Sequence, residues 1–265
     1  MQEKCECYTL NMSKKISMKR LNILNTIAGF LHLIQGFVIV ALSVDFTLPL
    51  SGAFLGFDPQ TQSLFPDSAV LFDISLPWLV ASFFFLSAIA HFTIASVARK
   101  RYEKDLLQGV NIGRWIEYSV SASVMLVAVS LLAGVYDLMS LVMIFFLTTI
   151  MNLMGWVMEV HNQTTKKTNW LSYWIGCLAG IVPWLVIAFY FWLGAQNGSE
   201  APAFVYGIFI SIFIFFNLFA INMVLQYKKI GPWKDYIYGE RAYIILSLVA
   251  KTLLAWQVFA GTLQP

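Results

Sequence analysis

Seven stretches of the chain are apolar for long enough to cross a bilayer, and the polar residues collect in short clusters between them. They lie near 21–43, 76–98, 110–134, 138–160, 170–194, 203–226 and 241–262. A helix rises about 1.5 Å per residue, so about 20 residues cover a hydrocarbon core of roughly 30 Å. The first stretch follows Lys14, Lys15, Lys19 and Arg20. It is too long for the apolar region of a signal peptide and lacks a small-residue cleavage site, so it reads as a retained first helix. The pattern predicts an all-α membrane protein: a cytoplasmic segment over 1–20 and one seven-helix domain over 21–265. The longest interval between spans, 44–75, sets Pro49, Gly52, Gly56, Pro59 and Pro66 among short apolar runs such as Ala53-Phe54-Leu55. A short β-hairpin or lid is expected there.

Composition excludes the other broad classes. Of 265 residues, 59% are hydrophobic and 12% charged, about half the ionic content of an ordinary soluble domain. With 16 Gly, 8 Pro and 3 Cys, collagen-like, disordered and disulfide-rich chains are excluded too. A net charge of +3 is too small to suggest nucleic acid as a partner; a lipid bilayer is the expected surrounding.

The placement of charge says more than its total. Of the 17 Lys and Arg, all except Lys251 fall on the N-terminal side of the bundle: before the first span, between the second and third, fourth and fifth, and sixth and seventh, with Arg114 just inside the third. The opposite loops hold Asp45, Asp58, Asp67, Asp73, Asp137 and Glu200. Basic loops stay in the cytoplasm, so the N-terminus is expected inside the cell and the C-terminus outside, in a multi-pass cell-membrane protein. Cys5 and Cys7 would then face a reducing compartment and Cys177 lies within the fifth span, which argues against a disulfide. The Cys-x-Cys pair has no accompanying metal ligands. Asn197-Gly198-Ser199 is a glycosylation sequon on the outer side, a tripeptide too common to carry weight.

Lys251 is set apart by depth. It lies ten residues beyond Arg241, about 15 Å along a helix, too deep to reach water comfortably. An ionisable group at that depth needs a partner or a task. A neutral packed lysine is one reading; the other is an amine whose desolvation suits it to form a Schiff base with an aldehyde. A protonated Schiff base needs an anion, and Glu117, roughly 10 Å from the inner end of the third span, is at suitable height. The competing reading pairs Glu117 with Arg114, three residues away on one helical face. His32 and His91 reach similar depth and are either buried hydrogen-bonding residues or parts of a proton network; His161 sits at the inner edge and is expected to face water. Beyond Glu117 the third span continues through Ser121, Val124, Met125 and Ala128, and Ser247 stands one turn before Lys251, so no ionisable relay is expected in the outer half. Phe209, Phe213 and Phe216 with Pro183-Trp184 could line a slot for a long conjugated ligand or be ordinary packing.

Seven helices with a lysine deep in the last resemble the retinal-binding rhodopsins. The strings Arg114-Trp115-Ile116-Glu117-Tyr118-Ser119-Val120-Ser121-Ala122-Ser123-Val124-Met125, Gly176 to Trp184, Phe204-Val205-Tyr206-Gly207, and Gly239-Glu240-Arg241-Ala242-Tyr243 through Lys251 to Trp256 are similar to the heliorhodopsin family over all seven helices. The resemblance implies a rhodopsin-like bundle with a cytoplasmic N-terminus, in accord with the charge pattern. It further implies all-trans retinal on Lys251, Glu117 as counterion, His32 and His91 in a polar cavity nearby, and Ser121 and Ser247 hydrogen-bonding around the pair. Met125, Trp184 and Phe216 would contact the chromophore. It implies a homodimer and a strand pair in the first outer loop. The function expected is light sensing with a slow photocycle, no net ion transport and a cytoplasmic signalling partner, and no enzymatic activity. The rivals are a light-driven proton pump or channel, for which an outer carboxylate is lacking, and a retinal-free transporter or receptor using Lys251 and Glu117 as a substrate ion pair.

Overall fold

The computed structural model describes the backbone of residues 2–264 and the side chains of residues 17–264. The side chains of Cys5 and Cys7, and of Lys4, Lys14 and Lys15, lie outside the described residues. Helix α1 (Gln2–Leu42) leads through the hairpin β1 (Thr47–Asp58) and β2 (Ser63–Ser75) into α2 (Leu76–Ala95), the short α3 (Arg99–Leu107) and α4 (Ile112–Leu132). Then come α5 (Leu138–Asn162), α6 (Leu171–Gln196), α7 (Ala203–Tyr227) and α8 (Tyr236–Val258), which ends in a π-helical turn, Phe259–Leu263. Among the described residues, seven helices are long and apolar enough to span a membrane: all except α3.

The helix ends depart from the apolar runs where caps decide them. Asn111 accepts a hydrogen bond from the Arg114 backbone N–H at 3.0 Å, Asp137 from that of Ser140 at 2.7 Å, and Asp235 from that of Ile237 at 3.1 Å. Each satisfies an N–H that has no partner within its helix. The Asp235 cap explains why α8 begins at Tyr236 although the apolar run begins near 241: the first turn is polar but capped. α1 extends well N-terminal of residue 21, since no Gly or Pro interrupts residues 2–20. α3, Arg-Lys-Arg-Tyr-Glu-Lys-Asp-Leu-Leu, is a helix no hydropathy argument finds, because charge hides its periodicity; only Tyr102 and Leu106 are buried.

The hairpin is long rather than short, with strands of 12 and 13 residues in antiparallel register from Thr47 opposite Ser75 to Asp58 opposite Ser63 and a bulge at Leu50/Ser51. The Ser51 N–H donates to the Tyr136 carbonyl at 2.9 Å, and Leu50 is buried, so the base is fixed to the α4–α5 turn. Beyond the base, Phe54, Leu55, Phe57, Leu64, Val70 and Phe72 are exposed. At the tip Asp58 accepts from Gln60 N and Thr61 Oγ1, each at 2.8 Å, and these bonds hold its carboxyl below the usual range.

α1 packs on α2 and α8, α2 on α4, α4 on α5, α5 on α6, and α7 on α8. The main core fills the half of the bundle nearer the hairpin, with Val80, Phe83, Leu126, Ile187, Ile208 and Leu254 among its buried residues. α6 and α7 are bridged there by aromatic rings: Trp184 meets Phe209, Phe213 and Phe216 edge-on at 5.5, 5.2 and 5.4 Å between centroids.

Candidate functional site

Lys251 on α8 and Glu117 on α4 come from helices that run in the same direction, and their side chains meet midway along the bundle. Lys251 Nζ donates to Glu117 Oε1 at 3.0 Å and to Ser247 Oγ at 2.7 Å, and the Lys251 and Glu117 side chains are 3% and 7% exposed. Ser247 reaches Nζ because it precedes Lys251 by one helical turn. Ser87 on α2 donates from Oγ to the same Glu117 oxygen at 2.5 Å. Two buried charges that neutralise each other and fill their remaining hydrogen-bonding positions are the arrangement that low-dielectric surroundings tolerate.

A polar chain leaves this pair toward the basic end. His91 and Asn25 meet at 2.9 Å between Nδ1 and Oδ1, and Asn25 Nδ2 donates to Tyr102 OH on α3 at 3.4 Å. The His32 ring is stacked on that of His91 at 5.5 Å. Among the described residues, neither ring nitrogen of His32 has a hydrogen-bond partner, nor has Ser121 Oγ.

Nearer the basic end a second ionic group is fully buried. Arg114 pairs with Glu159 of α5 and Glu240 of α8. Glu159 also accepts from the Asn111 N–H at 3.0 Å, Trp115 Nε1 at 2.6 Å and Tyr236 OH at 3.1 Å; Glu240 accepts from Asn111 Nδ2 at 2.6 Å and Gln226 Nε2 at 3.3 Å. The guanidinium lies 4.4 Å from the Trp115 ring and 3.9 Å from that of Tyr243, close enough for cation–π attraction. This corrects the alternative pairing of Glu117 with Arg114. Although the two are three apart on α4, Arg114 turns to α5 and α8, where two carboxylates await it. Arg114 is also no surface charge, so it does not serve as an ordinary inner-loop cation.

Two cavities border the Lys251–Glu117 pair. A small one toward the basic end is lined by Asn25, His91, Asn111, Arg114, Glu117 and Glu240, and so touches both ionic groups. The other is a narrow apolar slot, reached by Lys251 and lined by Tyr118, Met125, Met151, Phe216 and Phe219. Tyr118, Met151, Phe216 and Phe219 also line the neighbouring cavity that continues to Tyr173 and Cys177. A buried amine at the mouth of an apolar, aromatic-lined slot suits a long apolar aldehyde.

The structure thus brings Lys251, Glu117 and Ser247 into direct contact, puts Met125 and Phe216 on the slot, and stacks His32 with His91. Trp184 is not among the residues that line the slot; its ring meets that of Phe216 edge-on at 5.4 Å. Ser121 makes no hydrogen bond to the pair. His161 is exposed. The sequence reading missed Ser87, Asn25, Tyr118 and Met151, together with Glu159 and Glu240, each within a turn of a span end on the Arg114 side, where nothing in the sequence separates a buried carboxylate from one facing headgroups. Among the described residues, no group of His, Cys, Asp or Glu could hold a metal ion.

The family model described as Heliorhodopsin matches residues 21–263. Two solved structures share the fold. One is a light-driven proton pump from Leptosphaeria maculans, with 16% identity, a TM-score of 0.64, and 91% of this chain and 93% of that one covered. The other is Exiguobacterium sibiricum rhodopsin, with 15% identity, a TM-score of 0.60, and 92% and 95% covered. No curated protein matches the sequence.

Proposed function

Because the chain belongs to the heliorhodopsin family, we propose that it is a light-sensing retinal protein that signals without net ion transport. When all-trans retinal is bound to Lys251 as a Schiff base, it supplies visible absorption and light-driven isomerisation. The residues present suit that group: a buried lysine, one carboxylate at 3.0 Å and an apolar slot beside them. The contact between Lys251 and Glu117 carries the reading.

The chain's own groups then set where a proton can go. Glu117 Oε1 is the anion facing Lys251 Nζ and the nearest acceptor for its proton, and Ser87 helps hold charge on that oxygen. His91, which lines the same small cavity as Glu117, is the next group able to take a proton, with His32 stacked on it. On the other side of Lys251 the buried polar side chains are hydroxyls such as those of Ser123, Ser130 and Thr148, with no buried carboxylate or histidine among the described residues. A proton leaving Nζ therefore has titratable partners only toward the basic end, which the charge pattern assigns to the cytoplasm. A homodimer, which family membership favours, would cover part of the apolar hairpin.

Lys251→Ala is expected to abolish the visible band that forms when retinal is added to the apoprotein; a surviving band overturns the chromophore assignment. Illuminated vesicles are expected to show no sustained pH change. The second reading, a light-driven proton pump, draws on the described activity of the Leptosphaeria neighbour. A sustained pH change would favour it.

A further inference from the structure

A cavity of the basic end is separate from the retinal slot. About 320 Å³ lies between the ends of α5 and α7, the α5–α6 loop and the Gly231–Lys234 turn, lined by Lys166, Lys229, Lys234, Thr168, Tyr227 and Glu159 among others. Three lysines from three segments share this wall, and among the described residues none is in an ion pair with a carboxylate. Glu159, on the inner side, does not serve them. Its two oxygens are taken by Arg114, Tyr236, Asn111 and Trp115.

A concavity lined by one sign of charge concentrates counter-ions, and ammonium groups bind oxyanions through short, charge-assisted hydrogen bonds. A cation would meet three like charges, all on exposed lysines. We propose that this vestibule is a binding site for a phosphate-type oxyanion, either a soluble phosphate or the headgroup of an anionic lipid. The site lies against the Arg114–Glu159–Glu240 group. That group in turn shares a cavity with Glu117, so an occupant would sit at the end of the polar path from Lys251. The proposal does not depend on retinal being bound.

The test uses the full chain in phosphatidylcholine nanodiscs, titrated with inorganic pyrophosphate by calorimetry. Saturable binding at one site per chain is expected, weakened at least tenfold in Lys166→Gln/Lys229→Gln/Lys234→Gln. It should be unchanged in Lys100→Gln/Lys104→Gln, which removes two exposed charges from α3 at the same end. Absence of saturable binding overturns the site, and so does an equal loss in both variants, the signature of unspecific surface charge. Should the triple variant fail to fold, Lys234→Gln alone is expected to weaken binding severalfold, and no weakening overturns the proposal. Phosphatidylglycerol added to the nanodiscs identifies the source. Competition with pyrophosphate supports the site as one for a lipid headgroup, and unaltered affinity supports it as one for a soluble anion.

Discussion

The half of the bundle between Lys251 and the hairpin and the half between Lys251 and the basic end are built from the same helices and held together by different means. On the hairpin side the buried side chains are mostly Val, Ile, Leu, Phe and Ala; the buried hydroxyls of Ser130 and Thr148 bond to their own helix, at the carbonyls of Leu126 and Ile144, each at 2.8 Å, and that of Ser123 meets Thr149 of α5 at 3.1 Å. On the basic side Arg114, Glu159 and Glu240 tie α4, α5 and α8 together, with Asn111, Trp115, Tyr236 and Gln226 completing their hydrogen bonds. The apolar half can be weakened by degrees, because each side chain removed costs its own burial. The ionic half should fail at once when one member goes, since the others are left charged and without water. Lys251 sits at the boundary, where, among the described residues, a proton finds buried carboxylates and histidines on one side only.

Arg114→Met is therefore expected to have the largest effect, about 3–5 kcal/mol, by leaving two buried carboxylates unpaired. Thermal melting in detergent measures it. The sharper experiment compares this variant with Arg114→Met/Glu159→Leu/Glu240→Leu. Removing all three charges should recover most of the loss, because the paired group gains little over an apolar replacement. If the triple variant melts no higher than the single one, the ionic group contributes to stability beyond its own neutralisation, and the contrast between the halves must be redrawn.

In the apolar half, Leu126→Ala is expected to cost about 2–5 kcal/mol through lost burial and the cavity left behind. Pairing it with a truncation on another helix, Ile208→Ala on α7, should give losses much closer to additive than those within the ionic group, because neither leaves a charge unpaired. Additivity on the hairpin side against strong non-additivity on the basic side is the contrast in measurable form.

The same contrast explains what could be read from the chain alone. The spans were visible because a helix needs an apolar run of that length to cross a hydrocarbon core, and Lys251 and Glu117 stood out because ions are rare at that depth. Glu159 and Glu240 were hidden by position. Near a span end, a carboxylate facing the core and one facing headgroups have the same sequence surroundings, and only packing distinguishes them. Arg114 was misread for the same reason, as an orienting charge. Ser87 and Asn25 are small, neutral and common in membrane helices, so nothing marked them until the fold put Ser87 on Glu117 and Asn25 between His91 and Tyr102. The facing of Trp184, against Phe216 and outside the slot lining, depends on rotation about α6, which a helix nearly apolar all round does not declare.

At the boundary itself, Ser87→Ala removes the donor that α2 offers to Glu117 Oε1. A hydrogen bond to a charged group is worth about 1.5–3 kcal/mol, so the loss should fall between the ionic-group effect and that of a surface cap. In the retinal-loaded protein it should also shift the visible band, because the charge on the carboxylate facing Lys251 is then less spread. A stability loss without a band shift would place Ser87 in helix packing alone and move the functional boundary off α2.

The smallest effect is expected where the hairpin half meets water. Asp137 caps α5, accepting from both the N–H and the hydroxyl of Ser140 at 2.7 Å, and the adjacent Tyr136 carbonyl holds the Ser51 N–H at the base of the hairpin. Those two Ser140 bonds hold the carboxyl below its ordinary value. The stabilisation is thus complete above the usual carboxylate range and is lost as pH falls through the lowered folded-state value. Asp137→Ala should cost about 0.5–2 kcal/mol, as cap removal does, and Asp137→Asn less, because an amide oxygen still caps. The alanine variant's deficit should narrow in acid, where the native aspartate is itself protonated. A deficit independent of pH would mean that the carboxylate's charge plays no part in holding the hairpin end, and that this end depends on burial and backbone bonding alone.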